Sequence, residues 1–137
     1  MERVTPEEHS QLSCLRHPVD LSRVRLHRAA SGGMFRRLVL WASRGRAVAL
    51  GNDVFLPARS DGDLGVLAHE LTHCGQYQAW GPLRYYTRGA AAQARDLLHR
   101  MFGVGQSPYD YEIEPGKPFE AYGMEQQAQI VEDSFRG

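Results

Sequence analysis

The sequence contains little cysteine. Only Cys14 and Cys74 occur among its 137 residues, and they lack the CxxC spacing of thiolate zinc sites and redox motifs. Two cysteines are too few for a disulfide scaffold, so a reducing compartment is expected. Any zinc ion would therefore have to be held by histidine and carboxylate side chains.

Long apolar runs are also missing. No stretch approaches the roughly 18 apolar residues of a membrane span, and a content of 42% hydrophobic and 23% charged residues is typical of globular proteins. The N-terminal run MERVTPEEHSQLS carries acidic residues and no apolar segment, which argues against a classical secretory signal. We expect one domain over residues 1–137, with 1–19 as an N-terminal arm, in the cytoplasm or exported by another route.

An excess of one charge is missing as well, since the formal net charge is zero. Ten arginines face five acidic residues within residues 1–60, which leaves six basic and eleven acidic residues, of sixteen each, for the remainder. The arginines of the basic part are scattered among apolar residues and form no recognised nucleic-acid-binding motif. Neither a nucleic-acid nor a membrane partner is therefore predicted.

Residue patterns predict a small β-structure in the first half of the chain. Val24 and Leu26 alternate with polar neighbours, which is typical of a strand at a sheet edge. Residues 46–56 predict a hairpin, because the runs AVAL and VFLP are joined by GND at 51–53. The run SGG at 31–33 breaks the chain before Met34–Ala42, whose pattern fits either a strand or a short helix.

Helical periodicity predicts three helices in the second half. The first covers 64–79, with N-caps offered by Ser60, Asp61 and Asp63, and is ended by the GP pair at 81–82. The second covers 83–102 and the third begins at Met124, while residues 103–123, rich in Gly, Pro and Tyr, predict a surface loop. Together with the strands, these helices predict an α+β fold.

The residues that carry chemistry lie in the run VLAHELTHCGQ, inside the first of these helices. Residues four apart share a helix face, so His69 and His73 can converge on one metal ion while Glu70 reaches a water bound to it. Zinc lowers the pKa of such a water to about 7, and the glutamate takes its proton as the water attacks a carbonyl. The motif predicts Zn²⁺ bound by His69 and His73, with Glu70 as general base; a helix with two ordinary polar histidines is the alternative.

Two histidines do not complete a catalytic zinc site, which normally has three protein ligands and one open position. The third histidine of the HExxHxxGxxH pattern is missing, because Gln76 and Ala79 stand where Gly and His would be needed. Glu125, near the start of the last helix, is the predicted third ligand, although such a position also suits an acid without any metal. Under this assignment, replacing Glu132 should leave zinc binding unchanged. The competing carboxylates are Glu120, Glu132, Asp133, Asp110, Glu112 and Glu114.

A tyrosine hydroxyl beside the metal could stabilise the oxyanion formed during hydrolysis. Tyr122 in the loop before the last helix is the candidate, with Tyr109 and Tyr111 nearby, and packing in a core or an interface is the alternative for each. Cys74 points about 100° away from His73 around the helix and is predicted to be a core residue. The other histidines have no partner at ligand spacing and are expected to be structural or exposed: His9, His17, His27 and His99.

Several runs of the sequence resemble a known family. DLSRVRLHRAAS, RAVALGNDVFLP and VLAHELTHCGQ resemble the bacterial metallopeptidase domain associated with extracellular contractile injection systems, whose members carry a valine–histidine strand, a VGNDI-type hairpin and a HELTHVVQQ helix. The closing GKPFEAYGMEQQAQIVEDSF resembles the tail of Vgr-related proteins in that group. The resemblance covers roughly residues 20–80 and 115–135. It implies a compact zincin-like fold, His69 and His73 as ligands and Glu70 as base, but it fixes neither substrate nor third ligand. The chain departs from the family at 74–77, where CGQY replaces VVQQ.

The expected function is that of a zinc-dependent endopeptidase acting on a peptide or protein and linked to a contractile secretion apparatus, one of whose proteins would be a partner. The alternative is a catalytically silent zinc-binding adaptor or structural component of that apparatus. Glu70 favours the enzyme, because an adaptor would need only the ligands. Hydrolysis of a non-peptide amide is a third hypothesis, which the sequence does not separate from the first.

Overall fold

The computed structural model describes residues 2–12, 15–16, 18–28, 33–60 and 62–137. Its helices and strands are α1 (Pro6–Gln11), β1 (Arg25–His27), α2 (Met34–Ala42), β2 (Val48–Leu50), β3 (Asp53–Phe55), α3 (Leu64–Phe102) and α4 (Met124–Arg136). Short 3₁₀ turns lie at Leu21–Arg23, Ala58–Ser60 and Phe119–Ala121. The α+β class predicted from the sequence is confirmed. Predictions had also been made for five residues that lie outside the described ones: Cys14, His17, Ser31, Gly32 and Asp61.

The three strands form one sheet in the order β1-β3-β2, with β1 parallel and β2 antiparallel to β3. The predicted hairpin is confirmed, except that Asp53 already belongs to β3. Its turn depends on Gly51, which has a φ of 67° and whose Cβ would lie 3.1 Å from the Tyr77 ring. The two outer strands differ, because β1 forms a bridge to Glu2 of the N-terminal arm whereas β2 borders the large cavity described below.

The strand expected around Val24 begins later than the sequence pattern indicated. The carboxylate of Asp20 accepts a hydrogen bond from the backbone N–H of Ser22 at 3.1 Å and thereby caps a 3₁₀ turn over Leu21–Arg23. Strand β1 therefore starts at Arg25. The ambiguous segment Met34–Ala42 is a helix that follows Gly33 at a φ of 128°.

Helix α3 carries the HELTH motif. Its N-cap is Asp63, whose carboxylate accepts from the backbone N–H of Val66 at 3.2 Å. The predicted break is confirmed at Gly81, the only residue of α3 with non-helical φ/ψ (83°, 167°), followed by Pro82. The helix ends at Gly103 in the left-handed conformation, as expected.

The hydrophobic core lies between the sheet, the first half of α3 and the last turns of α4. Cys74 is fully buried in it, as predicted, and burial raises the pKa of its thiol. The buried apolar residues of this core are Leu12, Val24, Leu26, Ala49, Val54, Leu56, Leu67, Ala68, Leu71, Cys74 and Val131. Among the described residues, no helix combines the length and apolarity needed to cross a bilayer.

Candidate metal centre

Three buried side chains converge between α3 and α4. His69 and His73 lie one turn apart on α3, with their ring centroids 5.2 Å apart, and Glu125 lies in the first turn of α4. Nε2 of His73 is 2.8 Å from one carboxylate oxygen of Glu125, and Nε2 of His69 is 3.8 Å from the other. One ligand atom from each residue lies within 4.8 Å of the others. The structure thus brings together the three residues predicted as ligands, in a group that could hold a metal ion.

The donor set fits zinc, because two imidazoles and one carboxylate are a usual set of three protein ligands. Nδ1 of His73 lies 2.8 Å from Oε1 of Gln76. The amide nitrogen of Gln76 donates to the backbone carbonyl of Met124 and to the side chain of Gln127, both at 3.0 Å, so its oxygen must accept from His73. This arrangement puts a proton on Nδ1 of His73 and directs Nε2 toward Glu125.

The sequence prediction did not assign a role to Gln76 or Gln127. Gln76 is fully buried and follows His73 by three residues, so the two side chains are neighbours on the same helix. A buried glutamine at that spacing was the available signal. Gln127 came from a different helix and had no local signal.

Glu132 contacts the other histidine. Its Oε1 lies 3.1 Å from Nδ1 of His69, while its Oε2 is paired with Arg136 at 3.0 Å. The first contact is an ion pair rather than an aligned hydrogen bond, so Nδ1 of His69 is buried without a hydrogen-bonded partner among the described residues. The prediction that Glu132 can be replaced without effect on zinc binding did not take this contact into account. Two turns of α4 bring Glu132 to the same helix face as Glu125 and against His69.

The remaining competing carboxylates are not part of the group formed by His69, His73 and Glu125. Asp133 accepts a hydrogen bond from the hydroxyl of Tyr111 at 2.7 Å, and Glu114 pairs with Lys117 at 3.0 Å. The others are exposed: Asp110, Glu112 and Glu120.

Glu70 is buried and lines the same cavity as the two histidines and Glu125. Burial raises the pKa of Glu70, and the carboxylates of Glu125 and Glu132 add to that increase, whereas the charges of His69 and His73 oppose it. Glu70 is thus a carboxylate with an increased affinity for a proton, placed beside the candidate metal ligands. That is the property required of a general base that later returns its proton.

In the metal-free protein, nearby carboxylates raise the pKa of both histidines. Burial alone would lower the pKa of His69, but the neighbouring carboxylates of Glu125 and Glu132 outweigh it and raise the pKa to about 10. The pKa of His73 is raised as well, against the effect of burial, mainly by the charge of Glu125. Conversely, burial would raise the pKa of Glu125, but the two histidines lower it well below its ordinary value. Protons therefore balance the buried carboxylate where a metal ion would otherwise do so.

These pKa shifts predict how the stability of the metal-free protein depends on pH. A raised pKa stabilises the folded state fully below the unfolded value of 6.5, and this contribution is lost as the pH rises through the folded value of about 10 for His69. The contribution of Glu125, whose pKa is lowered, is instead lost at acid pH, below its ordinary value of 4.5. We expect the thermal midpoint in a chelator to fall between pH 6.5 and 10, and to fall less with saturating zinc, which replaces the protons. A chelator-treated midpoint that rises over this range would contradict the protonation described.

A cavity of 780 Å³ opens onto the candidate metal ligands. Strand β2 forms one wall and the second half of α3 another, and Tyr85 connects them by donating its hydroxyl hydrogen to the carbonyl of Ala49 at 3.0 Å. Burial raises the pKa of this phenol above the ordinary range, so it remains a donor. Strand β2 is thus an edge strand of the sheet that borders the same cavity as the candidate metal ligands.

Of the three tyrosines considered as oxyanion stabilisers from the sequence, Tyr109 rather than Tyr122 lies beside the metal ligands. Tyr109 lines the cavity, and its ring stacks against His69 at a centroid distance of 6.3 Å. Burial and the charge of Glu125 raise the pKa of Tyr109 to about 12. The hydroxyl of Tyr122 instead accepts a hydrogen bond from the backbone N–H of Glu114 at 3.0 Å. Both residues come from an irregular loop, where sequence periodicity gives no information on which side chain faces inward.

Comparison with known proteins relates the part of the chain that contains the HELTH motif to secretion systems. Residues 15–81 match the eCIS core domain. A 71-residue segment, 52% of the chain, is also 39% identical to the type VI secretion system spike protein VgrG2b of Pseudomonas aeruginosa. The two matches support an eCIS- and Vgr-related family and link the chain to components of contractile and type VI secretion systems.

The comparisons leave part of the site uncovered. The eCIS core match includes His69, Glu70 and His73 but ends before α4, which supplies Glu125. The aligned segment corresponds to 6% of the length of VgrG2b. No solved structure matches the chain.

Proposed function

We propose that this domain is a zinc metallopeptidase of a contractile secretion system. The observation that carries the proposal is the position of Glu70, a buried carboxylate with a raised pKa, in the cavity onto which His69, His73 and Glu125 converge. Holding a metal requires only the three ligands. Hydrolysis also needs a general base beside the ligands, and Glu70 is a carboxylate in that position.

The residues around the metal centre would have separate roles in peptide hydrolysis. Zinc bound by His69, His73 and Glu125 would acidify a water molecule and polarise a carbonyl group. Glu70 accepts the proton of that water on its carboxylate and, because its pKa is raised, can hold the proton and deliver it to the leaving amine. The hydroxyl of Tyr109 remains protonated at neutral pH and can donate to the oxygen that gains negative charge.

A peptide is the substrate that the cavity wall favours. In a two-residue hairpin the pair next to the turn, Leu50 and Asp53, is hydrogen-bonded, so the following pair directs the N–H and C=O groups of Ala49 outward. Ala49 lines the cavity, so these groups could pair with an extended peptide there. The Tyr85 hydroxyl already occupies the Ala49 carbonyl, so a peptide must displace it or pair with neighbouring groups of β2.

The similarity to a spike protein favours a second candidate function, that of a zinc-binding structural or adaptor domain without turnover. Such a domain would use the same ligands, and its partner would be a protein of the secretion apparatus. The N-terminal half of α3 and its contacts with α4 would then serve stability only.

Digestion of a mixed library of unstructured peptides by the zinc-loaded protein, read by mass spectrometry, distinguishes the two candidates. The paired variant is Glu70→Gln. Cleavage that depends on Glu70 supports the peptidase, whereas no cleavage across a broad library by protein of full zinc content favours the adaptor.

A further inference from the structure

A line of ionic contacts connects His69 to the beginning of its own helix by way of α4. Glu132 lies 3.1 Å from Nδ1 of His69, and Arg136 holds the other oxygen of Glu132 at 3.0 Å. Arg136 also reaches Asp63, the N-cap of α3, with Nη2 3.2 and 3.3 Å from its two carboxylate oxygens. The N-terminal end of α3 and the C-terminal end of α4 are thus held together beside the candidate metal centre.

Gly65 provides the space in which Arg136 lies. A Cβ atom at this position would be 2.7 Å from Cζ of Arg136 and 2.9 Å from Nη2, closer than real Cβ contacts. Gly65 is buried in the first turn of α3, where glycine is a poor helix former and has no left-handed φ to explain it. Close approach of the guanidinium is therefore the reason that the structure offers for a glycine here.

We propose that Glu132 is the positioning residue for His69 in metal binding. Arg136 holds Glu132 in place, and Gly65 leaves the space that Arg136 needs. A neutral imidazole that gives its Nε2 lone pair to a metal carries its proton on Nδ1, and that proton needs an acceptor to fix the ring. Nδ1 of His69 is buried and Glu132 is the acceptor within reach. His73 has its own acceptor in Gln76. The inference rests on the metal centre of the proposed function but not on catalysis.

The test is zinc affinity, measured by competition with a chromophoric chelator. Glu132→Ala is expected to weaken zinc binding about 10- to 100-fold, and Glu132→Gln less, because its amide oxygen still accepts a hydrogen bond. Gly65→Ala should also weaken binding, although it touches no ligand, because it displaces Arg136. This variant should fold at least as well as the parent, since alanine is the better helix former, and thermal unfolding in a chelator checks that. Asp133→Ala, on the same helix, is the matched control and should bind zinc like the parent.

A second readout separates positioning from general stability. In side-chain ¹⁵N NMR spectra of the zinc-loaded protein, His69 should be the Nδ1-protonated tautomer, and the signal of that proton should shift in Glu132→Ala. Parent-like affinity in both Glu132→Ala and Gly65→Ala would overturn the proposal, as would an equal loss in Asp133→Ala. A parent protein that binds no zinc removes the metal centre itself, whereas zinc binding without peptide cleavage removes only the proposed catalysis.

The charges around the cavity carry a separate inference about the substrate. Besides the histidines and glutamates of the metal centre, the charged residues that line it within the described chain are all arginines: Arg44, Arg46 and Arg100. Arg44 and Arg46 lie in the turn that leads into β2 and have no carboxylate partner among the described residues. Arg100 lies on the opposite wall and is paired with Asp96 at 3.0 Å.

We infer that Arg44 and Arg46, which line the cavity where β2 begins, select peptides with an acidic residue near the scissile bond. The two arginines without a partner lie beside the start of the strand along which a peptide would extend, so a carboxylate there would gain two opposite charges. Both side chains are exposed, so each contact is weakened by solvent and by salt. The inference deepens the proposed peptidase function and depends on it.

Matched peptides that differ only by Glu or Gln near the cleaved bond test this selectivity. The parent should cleave the Glu peptides with a kcat/KM roughly 3- to 10-fold higher, and the preference should disappear in the Arg44→Ala/Arg46→Ala variant and at high salt. Arg37→Ala, an exposed arginine of α2 that does not line the cavity, is the control. Equal cleavage of both peptides by the parent overturns the selectivity but not the peptidase, whereas no cleavage of either peptide overturns both.

Discussion

Replacement of Glu70 by Gln should abolish peptide cleavage while leaving the fold and the zinc content intact. Glutamine keeps the size of the side chain but removes the basic oxygen that accepts the proton of the attacking water. General-base assistance contributes about 10²- to 10⁴-fold in rate, so the barrier should rise by roughly 3 to 5 kcal/mol. The measurement is kcat/KM on a peptide identified from the library, together with zinc stoichiometry.

The structure adds an expectation about stability to this variant. Burial and two nearby carboxylates disfavour the charged form of Glu70, so a neutral amide should be tolerated without loss of stability in the metal-free protein. Glu120→Gln is a suitable control, because Glu120 is exposed in the 3₁₀ turn before α4. Equal cleavage by the Glu70→Gln variant and the parent would contradict the mechanism and leave the adaptor hypothesis ahead.

The sequence predicted those parts of the site that depend on local spacing. His69, Glu70 and His73 could be assigned because an i,i+4 pair on a helix must share a face, and the HELTH run lies where the apolar periodicity indicates a helix. Glu125 was selected because the metal still needed a ligand and the last helix begins with an acid. The structure places it with the two histidines, which the spacing within α3 alone does not require.

The parts that the sequence did not predict depend on contacts between distant segments. Arg136 and Asp63 are 73 residues apart, and nothing in either local pattern pairs them or explains Gly65. The segment Met34–Ala42 was ambiguous because its apolar residues do not report burial. Met34, Leu38 and Trp41 are exposed in the structure, so the usual relation between apolar periodicity and a buried face fails there.

Removal of the Glu125 carboxylate should have the largest effect on metal binding. Glu125→Ala reduces the set of protein ligands from three to two, and we expect zinc affinity to fall by at least about 10³-fold, roughly 4 kcal/mol. Glu132→Ala should cost less, because Glu132 contacts the metal ligand His69 and is not itself in the ligand group. The order of the two effects therefore distinguishes a ligand from the residue that positions one.

The metal-free form of the same variant provides an independent check. Glu125 lies 2.8 Å from Nε2 of His73 and is buried with it, so its removal leaves the protonated imidazoles with less opposing charge. The pKa of both histidines should fall, and the decrease of stability between pH 6.5 and 10 should become smaller than in the parent.

His73→Ala should also lose zinc, which tests the α3 side of the centre. If Glu125→Ala kept parent affinity while Glu132→Ala lost it, the ligand would be Glu132, and the third turn of α4 would supply the ligand instead of the first.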